Sequence, residues 1–125
     1  MSQDIVSDGL NQIMNAKMVE KRSLSISRHS KLLLNVFEMM KNLGHINYEI
    51  NKETGNVDVK ILKLNKCHSV KPRYYVKTGE IEKYLRRFLP SRNFGVLVIS
   101  TNKGLISHID AINQKIGGSI IAYFY

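Results

Sequence analysis

The 125-residue sequence lacks most of the features that announce a particular chemistry. A single cysteine allows no internal disulfide and fits a reducing compartment. No apolar run approaches the roughly 18 residues that span a bilayer. The opening MSQDIVSDGL carries two aspartates and no long apolar core, which argues against a secretory signal. No G-x-x-x-x-G-K-[ST] loop is present, so a phosphate cradle of that type is excluded. Acidic side chains are scarce, ten against nineteen lysines and arginines, and none form an obvious acid–base pair. Cys67-His68 could begin a metal site, but His29, His45 and His108 lie without the paired spacing a structural zinc requires. The expectation is no metal, no cofactor, no small-molecule substrate, no membrane association and no enzymatic activity.

What is present is a basic chain with enough apolar content, 43%, to build a core. The net charge is +9 with a pI near 9.8, a balance that points first to nucleic acid. The charge is concentrated: residues 60–92 hold ten cations against Glu80 and Glu82, interleaved with Tyr74, Tyr75 and Tyr84. From 93 to 125 the charged residues are Lys103, Asp110 and Lys115 alone.

Val6, Leu10, Ile13 and Met14 recur at helical spacing over 4–18. SLSIS (23–27) alternates as a short strand. A second helix is expected over about 30–43, with Ser30 as its N-cap and Gly44 just past its end. INYEI and VDVKILKL flank a turn at Thr54-Gly55-Asn56 and read as a hairpin. RYYVKT offers a strand and EIEKYLRRFL a basic helix; Pro90 breaks the chain after it. The remainder reads as strand (94–100), loop, helix (108–116), a glycine pair and a last strand (119–125). The fold class expected is α/β in the α+β sense: two small mixed lobes packed together, 1–66 and 67–125, the second carrying the main recognition loops.

Two stretches carry candidate chemistry. Ser107-His108-Ile109-Asp110 tempts towards a hydrolase, but on a helix His108 points about 100° away from the face shared by Ser107 and Asp110. The [ST]-x-x-[DE] capping pattern explains the spacing better. The other stretch is Ser100-Thr101-Asn102-Lys103-Gly104, closing an apolar strand, with Gly117-Gly118 ahead of the last strand. Small turn-forming residues suit an ordinary strand-to-helix connection. Yet ligands gather at strand ends of α/β sheets, and glycines let a partner's backbone come close. Hydroxyl and amide groups with little charge suit base edges and ribose 2′-hydroxyls in the shallow RNA minor groove. The basic middle then supplies affinity and the C-terminal loops specificity.

With SDGLNQIMNA, LNKCHSVKPRYYVK, and FLPSRNFGVLVISTNKG followed by IGGSIIAYFY, the chain resembles, end to end, the universal small ribosomal subunit protein eight family in its archaeal and eukaryotic branch. The resemblance implies a two-lobed fold and direct, early binding to a stem in the central domain of small-subunit ribosomal RNA. It also implies support of subunit assembly, ribosomal protein five as a neighbour, and a cytoplasmic location in the small subunit. The family's contacts fall here on Ser100, Thr101, Asn102, Lys103, Gly104, Gly117, Gly118 and Ser119, with Arg73 and Tyr75 from the preceding strand. The family's contacts from the N-terminal lobe to the RNA backbone fall around Asn15, Ser30 and Lys31. Bacterial relatives repress their own operon, so a messenger-binding repressor using the same surface is the alternative. Three positions depart from the family's pattern: Ile5, where proline is common; His68, where the branch often has glycine; and Ser119, where many members carry a charge.

Overall fold

The computed structural model describes residues 5–70, 74–90 and 94–125. The chain divides into two compact units, Met1–Cys67 and His68–Tyr125. In the first, helix α1 (Ile5–Met18) precedes strand β1 (Ser23–Ile26), helix α2 (Lys31–Asn42) and strands β2 (Ile46–Ile50) and β3 (Val57–Ile61). The apolar spacing of α1 places Val6, Leu10 and Ile13 in the core, while Leu33, Val36, Phe37 and Met40 form the buried stripe of α2. Ser30 Oγ accepts from the Leu33 N–H at 3.2 Å and so starts α2, and Gly44 follows its end at φ +81°.

The three strands form an antiparallel sheet in the order β1-β3-β2. Strand β3 shows why: Val57, Val59 and Ile61 are buried while Asp58 and Lys60 are exposed, the two-residue period of a sheet covered on one side. The β2–β3 turn is built by Asn51, whose Oδ1 accepts from the Glu53 N–H at 2.9 Å, and whose N–H donates to the Asn56 carbonyl at 2.8 Å.

The second unit contains β5 (Tyr75–Val76), a 3-10 turn (Thr78–Glu80), α3 (Ile81–Phe88), β6 (Val96–Thr101), β7 (Gly104–Ser107), α4 (His108–Gln114) and β8 (Gly118–Phe124). Strand β4 (Cys67–Ser69) opens at the boundary. The sheet order is β4-β8-β6-β7, with β5 also on β8. The two apolar strands foreseen as deep in a sheet, β6 and β8, are its inner pair. Strands β4 and β7 were not foreseen, and the helix expected over 108–116 ends at Gln114, where Lys115 turns left-handed at φ +55°.

The pairings β5–β8, β6–β8 and β6–β7 are antiparallel. One irregularity matters: between Val98 and Ile99 the β6–β8 register shifts, so that Val98 faces Ala122 but Ile99 faces Ile120. On one side of this sheet Val76, Leu97, Ile99 and Ile120 pack with Ile81, Leu85 and Leu89 of the α3 segment and Ala111 of α4. No helix among the described residues is long and apolar enough to cross a membrane.

Candidate nucleic-acid interface

Ser100 to Gly104 is a tight β-hairpin, not the strand-to-helix connection that its composition suggested. Thr101 faces Gly104 across the turn, and Asn102 and Lys103 form its exposed tip. The threonine side chain builds the turn. Its Oγ1 accepts from the Lys103 N–H at 3.1 Å and donates to the Gly104 carbonyl at 2.9 Å. Gly104 sits at φ +105°, where an L side chain is strained, and this lets the chain reverse into β7.

The register then assembles a row. Ser100 lies opposite Ser119 on β8, Ser119 lies opposite Tyr75 on β5, and Ser100 lies opposite Leu105 on β7. Directly paired residues of antiparallel strands share a face and stand about 4.5–5.5 Å apart. Tyr75, Ser119, Ser100 and Leu105 therefore cross four strands on one side of the sheet, the side away from α3 and α4. Tyr75 is 70% exposed and the other three are half-buried. Among the described residues neither serine hydroxyl is engaged in a hydrogen bond. Each is left with a donor and an acceptor for a partner.

The glycine pair has a reason internal to the sheet. A Cβ on Gly118 would run into the Ser100 carbonyl, and one on Gly117 would stand 2.6 Å from the Val76 carbonyl. Three strands converge there too closely for side chains. The strand-end argument drawn from parallel α/β sheets also gives way, because these pairings are antiparallel; a hairpin end and a cross-strand row take its place.

Seven of the expected residues therefore come together: Tyr75, Ser100, Thr101, Asn102, Lys103, Gly104 and Ser119, with Gly117 and Gly118 setting the strand spacing. Arg73 lies outside the described residues. Asn15, Ser30 and Lys31 belong to the first unit. Asn15 is exposed on α1, Lys31 is exposed at the start of α2, and the Ser30 hydroxyl is already the α2 cap. Leu105 was missed because β7 was missed.

The hydrolase alternative loses its geometry. Ser107 Oγ accepts from the Asp110 N–H at 3.2 Å and caps α4, while buried His108 accepts the Leu97 N–H on Nδ1 at 3.1 Å. Serine and histidine are each committed to backbone, not to one another. Two groups with raised pKa lie in the first unit. Tyr48 is pushed up to about 12 because its hydroxyl donates to Glu38 Oε2 at 2.6 Å. Burial pushes the Cys67 thiol up to about 12, which leaves it protonated and unreactive at neutral pH. The row and hairpin thus offer neutral donors and acceptors, one tyrosine and one lysine. This suits a shaped polar surface better than bond-making chemistry.

Comparison with known proteins agrees in direction. The family model described as "Ribosomal protein S8" matches residues 4–125. The small ribosomal subunit protein uS8 of Archaeoglobus fulgidus is 39% identical over 129 residues, covering 100% of both chains. That of Pyrobaculum neutrophilum is 40% identical over 126 residues, covering 98% of this chain and 97% of its own.

Proposed function

This chain belongs to the ribosomal protein S8 family as a non-enzymatic protein of the small ribosomal subunit, and on that premise we propose that it binds a stem in the central domain of small-subunit ribosomal RNA through its second unit. The observation that carries this reading is the row Tyr75–Ser119–Ser100–Leu105 beside the Thr101–Gly104 hairpin. A-form RNA presents a wide, shallow minor groove lined with 2′-hydroxyls and base edges. A polar row on a sheet, with two unspent hydroxyls, matches that in both shape and hydrogen-bonding character. The exposed tyrosine adds a ring to pack on ribose or an unstacked base, and Lys103 at the hairpin tip reaches a phosphate. Binding of this kind, with a ribosomal protein such as number five alongside, supports assembly of the subunit.

The test is binding to a hairpin carrying the irregular central-domain stem, against a fully paired hairpin of equal length, over a salt series. About five phosphate contacts give a log–log salt slope between roughly −3 and −5. The preference for the irregular stem should survive rising salt, and Ser100→Ala with Thr101→Ala should abolish it while leaving the slope nearly constant. An intact preference in that double variant would sink the assignment. A messenger stem that bound through the same residues would identify the repressor alternative.

A further inference from the structure

The second unit has another exposed surface, and the sheet register puts it on the side opposite the row. Tyr75, Ser100 and Ser119 share one side, whereas Val76, Leu97, Ile99 and Ile120 point to the other, where Ile81 and Leu85 fasten α3. The outward positions of α3 are Lys83, Arg86 and Arg87, all exposed. Their spacing of three and four residues places them on one helix face with Cβ atoms about 5–6 Å apart.

These cations are not neutralised from within. Among the described residues Lys83 and Arg86 have no carboxylate partner. Glu80 Oε1 is occupied, accepting the Lys77 N–H at 3.0 Å, and half-buried Glu82 has its own interaction. The negative end of the helix dipole offsets Arg86 and Arg87 in the last turn, but not Lys83 a turn earlier. Like charges at this spacing repel one another, so the face is held at a small cost that a polyanion would relieve.

Arg87 is also preorganised. Its guanidinium carbon lies 5.8 Å from the ring centres of both Tyr74 and Phe88, and Tyr74 stacks on Tyr84 at 5.6 Å. The two rings restrain the guanidinium, and among the described residues it has no carboxylate partner, which leaves its N–H groups for a phosphate. No exposed large apolar residue lies on α3. A protein partner would ordinarily seek such an anchor, so the face fits a phosphodiester backbone better than an acidic protein segment.

We propose that the Lys83–Arg86–Arg87 face of α3 binds the backbone of a second RNA segment, so that the second unit joins two RNA segments held on opposite sides of its sheet. The inference rests on the stem-binding reading for the first segment. The α3 face is separated from the row by the sheet and a helix diameter of about 10 Å, so one shallow groove does not meet both.

The experiment uses the full chain saturated with unlabelled central-domain hairpin and titrated with a short, generic, labelled RNA duplex. The expected result is a ternary complex, with duplex binding whose salt slope falls by about two units in Lys83→Ala with Arg86→Ala while hairpin binding and its slope hold. Circular dichroism checks that this double variant, which removes a repulsion, still folds. Duplex that competes with the hairpin would overturn the proposal, because one surface would then serve both. So would unchanged duplex binding in the double variant. Displacement of the duplex by polyglutamate at lower concentration than by unlabelled duplex would overturn it in favour of an acidic protein partner. Failure of the stem reading is seen separately: the Ser100→Ala, Thr101→Ala variant tests hairpin preference, and the α3 face should bind duplex in that variant as in the parent chain.

Discussion

The two faces of the second sheet are built from the same strands, chiefly β6 and β8, yet obey different rules. On the face under α3 and α4 the centre is apolar and dry: Leu97, Ile99 and Ile120 are fully buried beside Ile81 and Leu85. On the other face, the end nearest the hairpin is polar and half-open, with Tyr75, Ser119 and Ser100 side by side. The first face holds the unit together through burial, about 25 cal/mol for each Å² of apolar surface removed from water. The hairpin end of the second adds little stability and keeps its hydrogen-bonding capacity for a partner, while farther along the same face Val96, Val98, Ala122 and Phe124 are buried. At the hairpin end, stability and recognition are thus separated by the pleat of the strands. Substitutions one position apart should have unlike consequences.

The largest effect is expected from Leu97→Ala, which empties a fully buried position on the helix-covered face and should cost about 2–5 kcal/mol in urea unfolding. The folded fraction should retain its stem preference. Gly118→Ala comes next. Its methyl group collides with the Ser100 carbonyl and should cost about 1–3 kcal/mol by forcing β6 and β8 apart. Unlike Leu97→Ala it should also weaken stem binding, because the row runs through that junction; a variant that lost stability alone would separate the glycine from recognition.

Thr101→Val keeps the shape of the hairpin but removes both hydrogen bonds of the threonine hydroxyl, for a loss of about 1–2 kcal/mol in thermal unfolding. Lys103→Ala should leave the melting temperature unchanged and reduce the salt slope of stem binding by about one unit. The smallest effect lies in the other unit. Tyr48 is held protonated by its bond to Glu38, with its pKa raised from 10.0 to about 12, so its contribution is complete below pH 10 and is lost as pH rises from there through 12. Alkaline titration of tyrosine absorbance in Glu38→Gln, compared with the parent chain, should show that one group ionising earlier.

The comparison of faces also shows what could be read beforehand. Helices α1 and α2, the capping serines Ser30 and Ser107, and the β2–β3 hairpin are set by interactions spanning only a few residues, so their signals stand in the sequence itself. Strand β7 has four residues, Gly104–Ser107, and runs directly into α4; nothing in Leu105-Ile106 declares a strand until β6 lies beside it. The three-residue β4 was hidden in the same way. For the site, the residue types were legible because hydroxyls, an amide and glycines have local turn preferences. Their grouping was not.

Composition and local pattern alone determined that this is a basic, two-part α/β chain with a polar loop at the end of an apolar strand, because charge, helical period and capping are properties of neighbours in sequence. Only the tertiary structure decided which of those loop residues face outward together. The irregularity between Val98 and Ile99 shifts the β6–β8 register by one residue, setting Ser119 opposite Ser100 and sending Ile120 into the core. Without it Ile120 would stand opposite Ser100 on the open face and Ser119 would point under the helices. Because side chains alternate with a period of two, a single inserted residue exchanges the faces. That choice is made by the packing of both faces at once, which no single strand encodes.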